Sequence, residues 1–291
     1  MTRPEILVTG ATGMFGGLVL DALLQLGYTP RAVTRSPESA ESLAKRGAVP
    51  VVADMMSEAS LMTALEGVDR AFLVSPMQHD LNVLECNFID ACKSSKVQHI
   101  VKLYGCVDHG DDPLNTLHLE AIEHLKSSGL GWTLISPNTV MESNFFPQAS
   151  SVVSDGAIYA SAGDGQIGFV SAIDCGEAAA RVLISDGHHE QDYQITGPQA
   201  ATFEQATEIL SSVLGRKIRY IDLPEKDMLG ILTGIGMTPD EAELGVLCHY
   251  RLFRQGKASL VTDTTERLLG RSAISLKAFF QKNKSAFENQ E

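Results

Sequence analysis

No apolar run in this 291-residue chain approaches the roughly 18 residues that a membrane span needs, so no membrane association is expected. Basic residues are few, 23 against 36 acidic, for a net charge of −13, and no Lys/Arg cluster stands out. A nucleic-acid binder usually presents a basic face, so that class is set aside. The five cysteines (Cys86, Cys92, Cys106, Cys175, Cys248) never form a C-x-x-C pair. Their odd number and scatter point to reduced thiols, with neither a disulfide frame nor a metal site expected. Met1-Thr2-Arg3-Pro4 runs straight into the first strand with no signal peptide visible, so a cytoplasmic location is expected. Repeats and low-complexity tracts are also missing.

What is present is concentrated near the start. Ile6-Leu7-Val8 runs into Gly10, Gly13 and Gly16, and a helical stripe of Leu18, Ala22, Leu23 and Leu26 follows. A strand, a glycine turn and a helix in this order suit a dinucleotide. Gly10 allows the sharp turn, Gly13 lets a pyrophosphate approach the backbone, and Gly16 lets the helix pack close. The helix N-terminus offers N–H groups and a positive dipole end to the phosphates.

Strand-like runs at 6–8, 31–33, 49–53, 70–74, 99–103 and 132–135 alternate with helical patterns near 38–46, 58–66, 80–95 and 115–128. This alternation implies a parallel sheet with helices on both faces, which binds ligands at the carboxyl ends of its strands. Residues 138–170 read as loop-rich, 171–185 as a helix, 193–196 as a strand, and the chain after Thr202 as mostly helical with a strand at 217–222. The expected division is a nucleotide-binding domain over 1–150, to which a strand near 191–197 returns, and a smaller substrate lobe over 151–291, interleaved with it.

The second strand ends in Arg35-Ser36 rather than a carboxylate. A guanidinium there suits a 2′-phosphate, so NADP(H) is the expected cofactor. A plain surface arginine is the alternative. Asp54 ends the third strand, placed to accept from the adenine amino group with Met55 against the ring, unless it is a turn aspartate. Ser75-Pro76 closes the fourth strand and is expected along the ribose or nicotinamide edge.

The chain resembles the NmrA-like group of atypical short-chain dehydrogenase/reductase proteins. The resemblance rests on Thr9-Gly10-Ala11-Thr12-Gly13-Met14-Phe15-Gly16, Ala53-Asp54-Met55, His118-x-Glu120, the run from Leu125 to Asn138, Ala172-Ile173-Asp174, Tyr193-Gln194-Ile195-Thr196-Gly197-Pro198 and Leu268-Leu269-Gly270-Arg271. It implies an α/β fold of Rossmann type: a doubly wound parallel sheet with a smaller C-terminal α+β substrate lobe. It also carries Thr12, Met14 and Phe15 into the cofactor set with the glycines. The Tyr-x-x-x-Lys pair of the wider dehydrogenases is missing, because Tyr104, Tyr159 and Tyr250 are followed four residues on by Asp108, Gly163 and Arg254. Counted back from Gly129, the active-site lysine of isoflavone-type reductases falls on His118.

Tyr104, after the fifth strand, is a candidate to hydrogen-bond a substrate oxygen or to pack on the cofactor. His118, early in its helix, is a candidate proton donor or a plain helix histidine. Asn138 is a candidate for substrate or carboxamide, and Met141 and Phe145 are candidates for an apolar substrate wall; a turn residue and second-lobe core are the alternatives. Lys102 reads as structural and His188-His189 as a surface turn. The expected function is an NADPH-dependent reductase passing hydride to a small conjugated acceptor: a quinone, a dye-like cation or an enone. The alternative is an NADP(H)-sensing regulator acting through a protein partner without turnover. A homodimer stays open.

Overall fold

The computed structural model describes residues 3–110 and 112–288. Its elements run β1 (Ile6–Val8), α1 (Met14–Gln25), β2 (Arg31–Thr34), α2 (Pro37–Arg46), β3 (Val49–Val52), α3 (Glu58–Ala64), β4 (Arg70–Leu73), α4 (Leu81–Ser94), β5 (His99–Leu103), α5 (Pro113–Ser127) and β6 (Gly131–Pro137). Then come α6 (Met141–Phe145), α7 (Ala149–Ser154), β7 (Ala157–Ala160), α8 (Ala172–Ile184), β8 (Gln191–Ile195), α9 (Phe203–Leu214), β9 (Arg219–Asp222), α10 (Glu225–Gly234), α11 (Pro239–Ala242) and α12 (Cys248–Arg254), with α13 (Thr264–Leu269) and α14 (Leu276–Lys282) last.

The chain forms two compact units. The first holds Met1–Gly105, Gly110–Ser136 and Ala172–Gln194; the second holds Cys106–His109, Pro137–Ser171 and Ile195–Glu291. The division therefore falls earlier than residue 150 and returns α8 as well as β8 to the first unit.

In the first unit a seven-stranded sheet has the order β3-β2-β1-β4-β5-β6-β8, and the five pairings from β3 to β6 are all parallel. The fold is Rossmann-type α/β. Strands covered on both faces read as continuous apolar runs, which is why Ile6, Leu7 and Val8 are all buried. Burial of each such side chain is worth about 1.5–3 kcal/mol. The helices start on sequence-legible caps: Ser36 and Asp112 each accept backbone N–H bonds ahead of a proline at the first helical position. The strand order reverses at β1, between β2 and β4, so the loops leaving β1 and β4 flank the crevice where a ligand binds in such sheets.

In the second unit β7 and β9 pair in parallel, Ala157 opposite Arg219 through Ala160 opposite Asp222. The segment 138–170 is thus less irregular than expected: it supplies α6, α7 and β7. β7 is only four residues long and its partner is some sixty positions on, so no local pattern announces it. The core is aromatic, with Phe145 packed at 5.0–5.2 Å ring-centroid distance from Phe280 and Phe169. Among the described residues, no helix is long and apolar enough to cross a membrane.

Candidate cofactor and active site

The glycine loop leaves β1 through Gly10, whose φ of +60° is the left-handed region that other residues rarely adopt. A Cβ on Gly16 would lie 2.3 Å from the Gly10 carbonyl oxygen, so only glycine lets α1 turn this tightly against the loop. Gly13 caps α1 with no side-chain bond, and the first turn carries no acidic residue. The N–H groups there and the positive helix end are left for an anion. Thr12, Gly13 and Met14 are exposed and Phe15 is half-buried. These residues fit a dinucleotide diphosphate.

Two residues to which the sequence assigned no role of their own, Thr9 and Arg46, hold this loop. The Thr9 hydroxyl donates to the Val74 carbonyl at 2.8 Å and accepts from the Val74 N–H at 2.9 Å, tying the ends of β1 and β4 together. Arg46, at the end of α2, donates to the carbonyls of Ala11 (3.3 Å) and Gly17 (2.9 Å) and pairs with Asp21 at 2.7 Å.

Arg35 is exposed, and among the described residues its guanidinium makes no hydrogen bond or ion pair. Ser36 differs: its Oγ accepts from the Ser39 N–H and donates to Glu38, so it is committed to capping α2. One oxygen of Asp54 accepts from the Met56 N–H at 2.9 Å, closing an Asx turn. Met55 follows, its carbonyl held by Asn87 at 3.2 Å. Pro76 is exposed, and Ser75 donates to Glu85 Oε1 at 3.0 Å.

Around β5 the structure builds a polar chain. Lys102 and Glu85 are both fully buried, with Nζ 2.6 Å from Oε2. Lys102 Nζ also lies 3.4 Å from His118 Nδ1. When Nδ1 accepts from the ammonium, the ring proton resides on Nε2. The Tyr104 hydroxyl donates to Asn115 Oδ1 at 2.7 Å, Asn115 donates to the Gly110 carbonyl at 2.7 Å, and the Tyr104 ring meets His118 edge-on at 5.6 Å. Tyr104 and His118 are therefore brought together. The Lys102 ammonium, supplied by the strand, thus lies beside position 118, the position on which the resemblance places a lysine. Asn115 and Glu85 were not singled out, because each acts through partners on other elements or loops.

The three substrate candidates of the second unit need correction. Asn138 is buried, its amide donates to the carbonyls of Ala258 (2.9 Å) and Leu260 (3.1 Å), and its oxygen accepts from the Thr139 N–H at 2.7 Å. It pins the 258–260 segment and has no donor left for a ligand. Met141 and Phe145 are fully buried in the aromatic core and form no wall. The exposed neighbour is Phe146.

The paired histidines are more than a surface turn. His188 Nδ1 bonds the Tyr193 hydroxyl at 2.8 Å, and His99 Nε2 bonds Thr133 at 2.8 Å. With Arg70 and His189 they line a cavity of about 320 Å³. Arg70 and His99 are the first residues of β4 and β5, so this cavity lies at the amino ends of the strands, away from the ligand-binding end. Burial, and then the charge of Arg70, push the His99 pKa down to about 4.

The NmrA-like family model matches residues 2–259, nearly the whole length. The chain belongs to the NmrA-like family. Among curated relatives of this NmrA-like protein, an NAD(P)H azoreductase of Xenophilus azovorans is 29% identical over 97% of this chain and 99% of its own. Quinone oxidoreductase 2 of Escherichia coli (strain K12) is 31% identical over 82% of this chain and 85% of its own. Among solved structures, Citrobacter sp. triphenylmethane reductase complexed with NADP(H) matches with a TM-score of 0.86 at 27% identity, over 96% of this chain and 99% of that one.

Proposed function

We propose that this NmrA-like protein is an NAD(P)H-dependent reductase that prefers NADPH and delivers hydride to a small, flat, conjugated acceptor. The observation that carries this reading is the uncapped glycine turn at the strand-order reversal, with the uncommitted Arg35 guanidinium at the end of the neighbouring strand. The relatives, an azoreductase, a quinone oxidoreductase and a dye reductase, support the reaction class.

In this reading Met14, Phe15 and Gly16 offer their N–H groups to the diphosphate, and Arg35 recognises the 2′-phosphate. Asp54 offers its second oxygen to the adenine amino group, Met55 packs on the ring, and Ser75 and Pro76 line the nicotinamide side. The bound cofactor supplies hydride. Conjugated acceptors are already electrophilic, so the missing Tyr–Lys pair costs little. His118 presents Nε2–H to an acceptor oxygen or nitrogen that needs a proton, while Lys102 fixes its tautomer. The Tyr104 hydroxyl donates its hydrogen bond to Asn115, so in this reading it serves to orient and its ring to pack.

A second reading is favoured by that same commitment of Tyr104: the protein binds NADP(H) and signals through a protein partner without turnover. Steady-state oxidation of NADPH by the purified chain, with a panel of quinones, azo dyes, triarylmethane cations and enones, separates the two. Turnover of one class supports the reductase. Tight cofactor binding with none turned over supports the sensor.

A further inference from the structure

His109, Cys248 and His249 lie together in the second unit. Their ligand atoms all fall within 4.8 Å of one another. Cys248 Sγ is 3.1 Å from His249 Nδ1, and the rings of His109 and His249 meet edge-on with centroids 4.6 Å apart. A tetrahedral zinc ion holds sulfur at about 2.3 Å and imidazole nitrogen at about 2.0–2.1 Å, which sets its ligand atoms about 3.3–3.6 Å apart. The cluster is within side-chain rotation of that geometry. One thiolate and two neutral imidazoles form a borderline-soft set that favours Zn²⁺ over oxygen-seeking cations.

We propose that His109, Cys248 and His249 bind one Zn²⁺ ion, leaving a fourth position to water. Binding replaces the thiol proton: Zn²⁺ and Cys–SH give the zinc thiolate and one H⁺, with no change of oxidation state. The bond that Cys248 Sγ now donates to the Leu244 carbonyl at 3.2 Å is released at the same moment. The ion would clamp the 106–109 segment onto α12 within the second unit. Sequence spacing hides the site, because Cys248-His249 has no C-x-x-C or H-x-x-H partner nearby.

The test is a titration of the full chain, stripped with chelator and kept reduced, with Co²⁺ and then Zn²⁺. Expected are one Co²⁺ per chain, a thiolate-to-cobalt charge-transfer band, the intense visible bands of tetrahedral cobalt, and bleaching by Zn²⁺. Cys248→Ser should abolish the charge-transfer band, Cys106→Ser should keep it, and His109→Ala and His249→Ala should each weaken Co²⁺ about tenfold or more. A wild-type measurement stands beside the variants: saturating Zn²⁺ should protect Cys248 from alkylation, read by peptide mass spectrometry. No charge-transfer band in the wild type, an unchanged titration in any of the three ligand variants, or an unprotected Cys248 would overturn the proposal.

Discussion

Lys102 Nζ and Glu85 Oε2 meet at 2.6 Å with both side chains removed from solvent, joining the carboxyl-terminal part of β5 to α4. Such a pair contributes little net stability, because desolvation offsets most of the attraction; losing one partner is what costs. Glu85→Gln or Lys102→Met should each destabilise the protein by about 3–5 kcal/mol. The double variant Glu85→Leu/Lys102→Met should recover much of that. Urea denaturation of the single and double variants checks it; additive losses would contradict the pairing.

His118 is predicted to matter only where the product needs a proton. Reducing a quinone takes hydride and a proton, whereas a triarylmethane cation becomes neutral on taking hydride alone. His118→Ala should lower kcat/KM for quinones about 100-fold, within the usual range for a general acid. It should leave a cationic dye within about threefold. Equal losses with both substrates would mean that the imidazole acts by packing.

The amino-end histidine cluster sets an acid limit on stability. His99 is held neutral by burial and by Arg70, with a folded pKa of about 4 against 6.5 for the exposed side chain. The folded state therefore binds fewer protons than the unfolded state between these values. Its contribution is complete above pH 6.5 and lost as pH falls towards 4. After allowance for partial exposure this amounts to ~1–2 kcal/mol. His99→Gln should flatten that limb of the stability–pH curve, measured by denaturation between pH 7 and 4.

Asn138 should behave as a structural residue. Asn138→Ala would leave the Leu260 carbonyl and the Thr139 N–H without this partner, while the Ala258 carbonyl keeps the Gly168 N–H at 2.8 Å. Each buried unsatisfied group costs about 1–3 kcal/mol, so a clear fall in thermal midpoint is expected. KM values for cofactor and acceptor should stay unchanged in the protein that remains folded. A raised acceptor KM at full stability would return Asn138 to the substrate site.

The legible parts of this protein are local ones. Gly10, Gly13 and Gly16 follow an apolar strand within ten residues, and Ser36-Pro37 and Asp112-Pro113 announce their helices, so the sheet and its crevice could be read directly. Features that depend on distant partners could not. The Lys102 charge gave no hint that Glu85 would neutralise it, nor that its ammonium would reach His118. Arg46 carries no sequence signal for its role, because Ala11 and Gly17 present only backbone to it. Phe145 and Met141 carry the same apolar signal whether they line a cavity or fill a core, and only the rings of Phe169 and Phe280 decide between them. A strand was legible at 217–222, where β9 lies, but β7 and its pairing with β9 were not, because no turn connects the two short strands.

The central claim is that the β1–α1 turn holds NADP(H) and that Arg35 reads its 2′-phosphate. Calorimetric titration of the wild type and Arg35→Ala with NADPH and NADH tests it most directly. The account predicts that the wild type binds NADPH more tightly than NADH. It also predicts that Arg35→Ala weakens NADPH about 10–100-fold, as loss of a charge-assisted bond should, and barely alters NADH. No uptake of either coenzyme by the folded wild type, or an equal loss for both in Arg35→Ala, would contradict it.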